Sequence, residues 1–237
     1  MSTISFTIDG KKVEGSPGEL VIEVARRYCI EIPSLCHNEA LKPFGYCRVC
    51  VVEITRDGRS RITPSCTSRI EEGMEVVTTS EKILQQRRGR LELMLARAPE
   101  APRIQKMAAE MGVTPPPPDK EADNCILCGL CVRTCKEVVG VNALSFQKRG
   151  DTRVVGLLLH DGSTTCIGCG TCAYICPTGV IEMKDDGNSR IIWNNKFVLR
   201  ACKSCGVSWI PEEQIKHICE ISTTPPEYFD YCPDCRP

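Results

Sequence analysis

Cys125-Ile-Leu-Cys128-Gly-Leu-Cys131-Val-Arg-Thr-Cys135 and Cys166-Ile-Gly-Cys169-Gly-Thr-Cys172-Ala-Tyr-Ile-Cys176-Pro177 are two copies of one pattern, C-x2-C-x2-C-x3-C. Three closely spaced thiolates can wrap one face of an iron–sulfur cube. The fourth lies too far round to close the same cluster. Gly129, Gly168 and Gly170, between the ligands, let backbone amides approach the cluster sulfurs and tune the potential. Eight unrelated structural cysteines would not repeat at identical spacing, so the chain is read outward from this stretch.

The pattern resembles the bacterial-type ferredoxins, in whose two-cluster members the fourth cysteine of each run ligates the other cluster. The resemblance implies one 4Fe–4S cluster on Cys125, Cys128, Cys131 and Cys176. It implies a second on Cys166, Cys169, Cys172 and Cys135. Pro177-Thr178-Gly179-Val180-Ile181 is similar to the exit segment of such domains. Val154 to Leu159 reads as an apolar β-type run, Asp161-Gly162 as a turn, and His160 as a surface loop residue. This module is placed at residues 123–200.

Upstream, residues 1–80 read as a separate module. Ile4, Phe6 and Ile8 alternate with polar residues, which marks a half-buried strand. Asp9-Gly10 is a hairpin turn, and Lys11 to Glu14 the return strand. Ser16-Pro17-Gly18-Glu19 has the composition of a helix start, with Ser16 as cap. Leu20, Val21, Val24 and Tyr28 give that helix an apolar face, on which Cys29 is expected to pack as a small hydrophobe. A second hairpin follows, Val51 to Ile54 and Arg59 to Thr63 about Asp57-Gly58. These elements suggest a β-grasp. Its loops carry Cys36, Cys47, Cys50 and Cys66 at spacing C-x10-C-x2-C-x15-C, a set suited to 2Fe–2S, with zinc as the other metal four thiolates could take. The order, with Gly45-Tyr46-Cys47-Arg48-Val49-Cys50, resembles the N-terminal domain of the complex I 75 kDa subunit. It is similar also to the iron–sulfur subunits of NAD-linked hydrogenases. His37 reads as a loop residue.

Residues 81–122 form a helical connector ending in a Pro-rich linker. Ser80 caps a helix from Glu81 to Arg97 with Leu84, Leu91, Met94 and Leu95 buried, and Arg87, Arg88 and Arg90 as a basic run read as a solvated face, with a docking patch as the other reading. A second helix covers Arg103 to Met111, with Gly112 past its end. Pro115 to Pro118 is a stiff extended spacer. The complex I subunit and several hydrogenase relatives carry a His-x3-Cys-x2-Cys-x5-Cys site here. This chain has neither histidine nor cysteine between Cys66 and Cys125, so that cluster is expected to be missing.

Residues 201–237 hold two C-x2-C knuckles, Cys202/Cys205 and Cys232/Cys235, about a helix from Pro211 to Ile221 with Ile215 and Ile218 inward. Two knuckles make a zinc-ribbon-like site. The alternative is a third 4Fe–4S cluster on the same four thiolates. His217 and Cys219, between the knuckles, read as surface or packing residues.

Eighteen cysteines in 237 residues, without an apolar leader after Met1 or a run long enough to span a bilayer, point to metal thiolates in a reducing cytoplasm. Thirty acidic and thirty basic residues cancel, which gives no basis for nucleic-acid binding. The chain is thus an α+β protein of several small modules, each needing its metal to fold. No nucleophile–base set, phosphate loop or G-x-G-x-x-G occurs, so no flavin or nicotinamide site is expected. The resemblance implies an electron-transfer subunit of a soluble NAD(P)-linked hydrogenase or formate dehydrogenase complex, of a kind that includes electron-bifurcating members. Its partners would be a flavin-containing NAD(P)H-oxidising subunit, a catalytic subunit and ferredoxin. A free multi-cluster ferredoxin is the other reading. The zero formal charge speaks against it, because carriers are steered by a charged surface.

Overall fold

Two Asp-Gly pairs set the first sheet. In the computed structural model, which describes residues 3–119, 122–160 and 163–236, strand β1 (Ile4–Ile8) pairs antiparallel with β2 (Lys11–Gly15). Ile8 lies opposite Lys11, leaving Asp9 (φ 51°) and Gly10 (φ 77°) as a two-residue turn. Positive φ at both positions is what the primed hairpin turn requires. Asp57 (φ 50°) and Gly58 (φ 73°) do the same between β3 (Val51–Arg56) and β4 (Arg59–Pro64). The short β5 (Glu75–Val77) joins the hairpins, parallel to β1 and antiparallel to β3, in the order β2-β1-β5-β3-β4. Helix α1 (Val21–Arg27) buries Val21, Ile22, Val24 and Ala25 in the same core as Phe6, Ile8, Val13, Ile54 and Val76. This is a β-grasp, and burying each such large side chain contributes roughly 1.5–3 kcal/mol.

Helix α1 departs from expectation at both ends. Ser16 to Glu19 forms a turn, with the Glu19 carboxylate accepting from the Ser16 N–H at 2.9 Å. Gly18 has φ 94°, which no helix can hold, so the helix begins only at Val21. Its first turn is closed by Glu23, which accepts from the Leu20 N–H at 3.0 Å. At the far end Cys29 is exposed with φ 57°, not buried on the helix face. Ile30 N–H donates to Ala25 O (2.8 Å) and Cys29 N–H to Arg26 O (3.0 Å). These are the two bonds of a Schellman cap, and they place Cys29 where glycine is usual.

The connector helix α2 (Glu81–Arg97) starts at its expected cap, Ser80 Oγ accepting from the Ile83 N–H at 3.4 Å. Its buried face is Ile83, Arg87, Leu91 and Leu95, a four-residue spacing. Leu84 and Met94 are only half-buried. The expected solvated arginine face is therefore incomplete: Arg88 and Arg90 are exposed, but Arg87 is 4 % exposed and donates to Val51 O at 2.8 Å. Helix α3 (Pro102–Glu110) ends in a second Schellman cap, this one with Gly112 (φ 67°) at the left-handed position. The proline run then folds back, and Asp119 N–H donates to Ala96 O at 2.8 Å.

The chain divides into two compact units, Met1–Gly129 and Leu130–Pro237. The second opens with α4 (Leu130–Glu137), which packs on α5 (Thr171–Ile175). Between them β6 (Leu144–Gln147) pairs with β7 (Val154–Leu157), and β8 (Leu159–His160) with β9 (Ser163–Thr164). The expected run Val154 to Leu159 is thus shared by two strands, and Asp161-Gly162 lies outside the described residues. Strands β10 (Met183–Asp186), β11 (Ser189–Ile192), β12 (Asn195–Ala201) and β13 (Ser208–Pro211) form an antiparallel meander, followed by α6 (Glu212–Ile221). Its inward residues Ile192 and Phe197 share a core with Leu144, Cys131 and Cys172.

Candidate metal centres

The loops of the β-grasp bring Cys36, Cys47, Cys50 and Cys66 together as one buried set. The Cys36 thiol bonds to those of Cys47 and Cys66, and the Cys50 thiol to that of Cys66. Cys36 Sγ also accepts from the Cys47 N–H at 3.3 Å. These bonds hold Cys36 and Cys50 below the ordinary thiol range and push their partners Cys47 and Cys66 above it. Thiols that share protons in this way all ionise only when a metal takes the charge. Backbone shape makes the set possible: Arg48, inside the Cys47–Cys50 pair, has φ 57°, and Gly45 has φ 66°. A Cβ on Gly45 would stand 2.9 Å from Thr67 Cγ2. Four thiolates and no carboxylate form a soft donor set that fits an iron–sulfur group or zinc. Arg87 stands beside this set, since its electrostatic partners include Cys50. Its Nε is buried without a hydrogen-bond partner.

The two halves of the central repeat share one backbone. Leu127 (φ 55°) and Gly129 (φ 73°) in the first copy correspond to Gly168 (φ 66°) and Gly170 (φ 76°) in the second. Leu127 N–H donates to Cys125 Sγ at 3.4 Å, and Gly168 N–H to Cys166 Sγ. The two glycines of the second copy are required by space as well as by φ. A Cβ at Gly168 would stand 2.6 Å from Phe197 Cγ, and one at Gly170 2.4 Å from Met183 Sδ.

Cys135, Cys166, Cys169 and Cys172 line a single cavity walled by Val139, Leu144, Ile192 and Trp193. Burial pushes the Cys172 thiol up to about 11, opposed by a hydrogen bond from Trp193 Nε1 at 3.4 Å. Cys135 Sγ accepts from the Ala143 N–H at 3.2 Å, and Cys169 Sγ from Thr171 Oγ1 at 3.4 Å. Sulfur acceptors ringed by N–H and O–H donors in an apolar cavity fit an iron–sulfur cluster. The other expected set is divided between the units: Cys125 and Cys128 end the first, whereas Cys131 and Cys176 belong to the second.

Cys202, Cys205, Cys232 and Cys235 place their four Sγ atoms within 4.8 Å of one another. The N–H groups of Cys205 and Cys232 hold the Cys202 thiol down at about 6. Neither residue between the knuckles joins them. His217 Nε2 lies 3.1 Å from Val139 O, and Cys219 packs on the small core of Ile210, Ile215 and Phe229. His37 sits in its loop with Nε2 buried and unpartnered, and burial lowers its pKa. His160 falls in β8.

Two residues beside the thiols are absent from the candidate residues of the sequence analysis. Arg87 had a signal, because Ile83, Leu91 and Leu95 repeat at its spacing and so place it on the buried face. Trp193 had only its size. It occupies the first position of the two-residue β11–β12 turn with φ 52°, followed by Asn194 at 59°. A tryptophan in the left-handed region is strained, and such strain persists where the surroundings fix it. Here its N–H is fixed on a cysteine sulfur.

A β-grasp with one four-thiolate set and a repeated C-x2-C-x2-C-x3-C pattern, one set of whose thiols lines a single cavity, define an iron–sulfur protein of the ferredoxin type. Residues 1–81 match a 2Fe-2S iron-sulfur cluster binding domain, and residues 121–180 and 165–209 match two 4Fe-4S dicluster domain models. The chain is 32% identical over 213 residues to the NADP-reducing hydrogenase subunit HndD of Solidesulfovibrio fructosivorans, covering 76% of this chain and 36% of that one. It is 25% identical over 211 residues to the mitochondrial NADH-ubiquinone oxidoreductase 78 kDa subunit of Candida albicans, covering 78% of this chain and 29% of the other. In the crystal structure of an NAD+-reducing NiFe-hydrogenase in the H2-reduced state, a chain superposes with TM-score 0.62 at 31% identity. That match covers 74% of this chain and 85% of the other. The chain belongs to the family of iron–sulfur subunits of NAD(P)-linked hydrogenases that is related to the N-terminal part of the large complex I subunit. It spans about a third of HndD and somewhat less of the 78 kDa subunit. No helix among the described residues is long and apolar enough to cross a membrane.

Proposed function

We propose that this chain is a relay subunit, carrying electrons between a flavin-bearing NAD(P)H-oxidising subunit and a catalytic subunit. The partner is a hydrogenase in the first instance and a formate dehydrogenase in the second. The observation that carries the reading is the union, in one chain, of a 2Fe–2S β-grasp set and a 4Fe–4S dicluster repeat. On this reading Cys36, Cys47, Cys50 and Cys66 hold the 2Fe–2S cluster. Cys125, Cys128, Cys131 and Cys176 hold one 4Fe–4S cluster, and Cys135, Cys166, Cys169 and Cys172 the other. The clusters supply one-electron chemistry when bound. The protein's part is to fix them, to keep water out with Leu144, Val139 and Ile192, and to set their potentials through N–H donors such as that of Trp193.

Anaerobic purification through this chain from its native cell tests the proposal. The expected result is a complex containing flavin and about ten irons per copy of this chain. Nickel beside them identifies a hydrogenase partner of the nickel–iron type, and molybdenum or tungsten a formate dehydrogenase. NAD(P)H should bleach the clusters of the complex but not of the isolated chain. A lone monomer without flavin would overturn the relay reading in favour of a free multi-cluster carrier.

A further inference from the structure

We propose that Cys202, Cys205, Cys232 and Cys235 hold one tetrahedral zinc ion and not a third iron–sulfur cube. Size decides first. All four Sγ atoms lie within 4.8 Å of one another, and Cys205 Sγ is 3.8 Å from Cys232 Sγ. Thiolates at Zn–S bonds of about 2.3 Å stand about 3.8 Å apart at the corners of a tetrahedron. A four-iron cube holds its thiolates one Fe–S bond outside each iron corner, roughly 6 Å from each other. Among the described residues this is the one group of His, Cys, Asp or Glu ligands drawn so close. The sets at the β-grasp and the repeat, although equally rich in cysteine, are not.

The scaffold reinforces that compactness. Cys202 continues directly from β12, and its N–H donates to Val207 O at 2.8 Å. Gly206 (φ 76°) closes the first knuckle by donating to Cys202 O at 2.9 Å, and Cys235 N–H closes the second on Cys232 O at 3.0 Å. Cys232 N–H reaches across to Cys202 Sγ at 3.3 Å. Lys203 ties the knuckles together, its N–H on Asp230 O at 2.8 Å and its Nζ on Asp230 Oδ2 at 2.5 Å. Expanding the site to the span of a cube would break this crossing set. Zinc is the ion for it. Thiolates favour zinc over ferrous iron in the order of divalent affinities, and four protein ligands leave no open position for catalysis.

The role follows from the packing around the site. Between the knuckles the local core is small: Ile210, Ile215 and Phe229 are buried, with Trp209, Ile218 and Cys219 partly buried against them. So few residues cannot offset the ordering of this much chain, and the ion fastens it. A closed-shell ion takes no electrons, so the tail is a redox-silent clasp on the end of the meander. The assignment does not depend on the relay reading.

The test uses the full-length chain purified anaerobically, with zinc and iron counted per chain and the EPR spectrum recorded before and after dithionite. One zinc with about ten irons supports the proposal. In Cys232→Ala the zinc should fall to near zero while iron count and EPR signals stay as in the parent. About fourteen irons without zinc, or a high-spin mononuclear ferric signal, overturns it. If Cys232→Ala does not accumulate, growth of the parent with added cobalt gives an independent reading. One cobalt replacing the zinc, with tetrahedral thiolate absorption bands, supports a mononuclear site; cobalt that neither binds nor displaces zinc overturns it.

Discussion

Replacing Gly168 by alanine should destabilise the second unit strongly, and the structure separates the two causes. Gly168 has φ 66°, so any side chain bears the cost of the left-handed region, about 1 kcal/mol. The added Cβ would also stand 2.6 Å from Phe197 Cγ and 2.8 Å from Cδ2, against ordinary contacts of about 3.5–4 Å. The ring is only 5 % exposed and packed among Ile192, Leu144 and Cys172, so it has little room to retreat. Overpacking of this kind costs about 1–3 kcal/mol, which brings the expected loss to about 2–4 kcal/mol. Gly179 is the control. It has φ 70° but nothing within 4 Å of an added Cβ, so Gly179→Ala bears the backbone cost alone. The assay is anaerobic thermal unfolding of the holoprotein, followed by loss of the cluster absorption band. At about 4–8 °C per kcal/mol for a unit of this size, Gly168→Ala should melt roughly 10 °C or more below the parent, and Gly179→Ala about 5 °C below. Equal shifts for the two variants would refute the claim that Phe197 excludes a side chain at position 168. Phe197→Leu added to Gly168→Ala should then cost less than the sum of the single changes, because the smaller side chain relieves the contact.

Three further outcomes are expected. Cys29→Gly should stabilise the β-grasp by about 1 kcal/mol, because glycine carries no penalty at that helix cap; denaturant unfolding of the holoprotein measures it, and a lower midpoint counts against the cap reading. Arg87→Met should lower the reduction potential of the 2Fe–2S centre, because a buried cation beside Cys50 favours the more negative reduced state. A unit charge roughly 10 Å away at an effective dielectric of about 20 corresponds to about 1.7 kcal/mol, on the order of 70 mV, and an EPR-monitored titration that finds no shift sinks the argument. Trp193→Phe removes the only hydrogen donor of that side chain, so the potential of one 4Fe–4S centre should fall while the 2Fe–2S potential stays put; equal movement of both would show a global effect instead.

What could be read in the sequence divides along a physical line. Turns and caps were legible because one or two residues decide them: Asp9-Gly10, Asp57-Gly58 and Ser80 each act where their composition places them. The C-x2-C pairs were legible for the same reason, since that spacing is local chemistry. The start of α1 was misread because Ser16-Pro17-Gly18-Glu19 satisfies a composition rule, yet Gly18 adopts a φ that only the three-dimensional turn demands. Cys29 was misread because a Schellman cap on a non-glycine residue leaves no mark in the sequence. The short β5 is held by pairing with both β1 and β3, distant in sequence, so its three residues carry little signal of their own.

Arg87 and Trp193 show where this limit touches function. Trp193 donates to a cysteine sulfur and Arg87 places a buried charge beside a thiolate set, each from an element that a propensity argument would assign to solvent or to a loop. Each also bears a local cost, an unpartnered buried Nε in one case and a left-handed tryptophan in the other. Such costs are tolerable where a charged cluster supplies the compensating interaction. The cysteines therefore mark the candidate metal centres, and the residues that break local rules beside them point to groups that would tune a bound cluster. The tail has the opposite character. Its knuckles obey their turn rules, the residues between them pack or bond elsewhere, and its one charged neighbour with a buried unpartnered atom among the described residues, Arg236 at Nε, directs its other two nitrogens to Tyr228 Oη and Tyr231 O. A site built only to hold an ion needs no such tuning, which agrees with its assignment as a clasp.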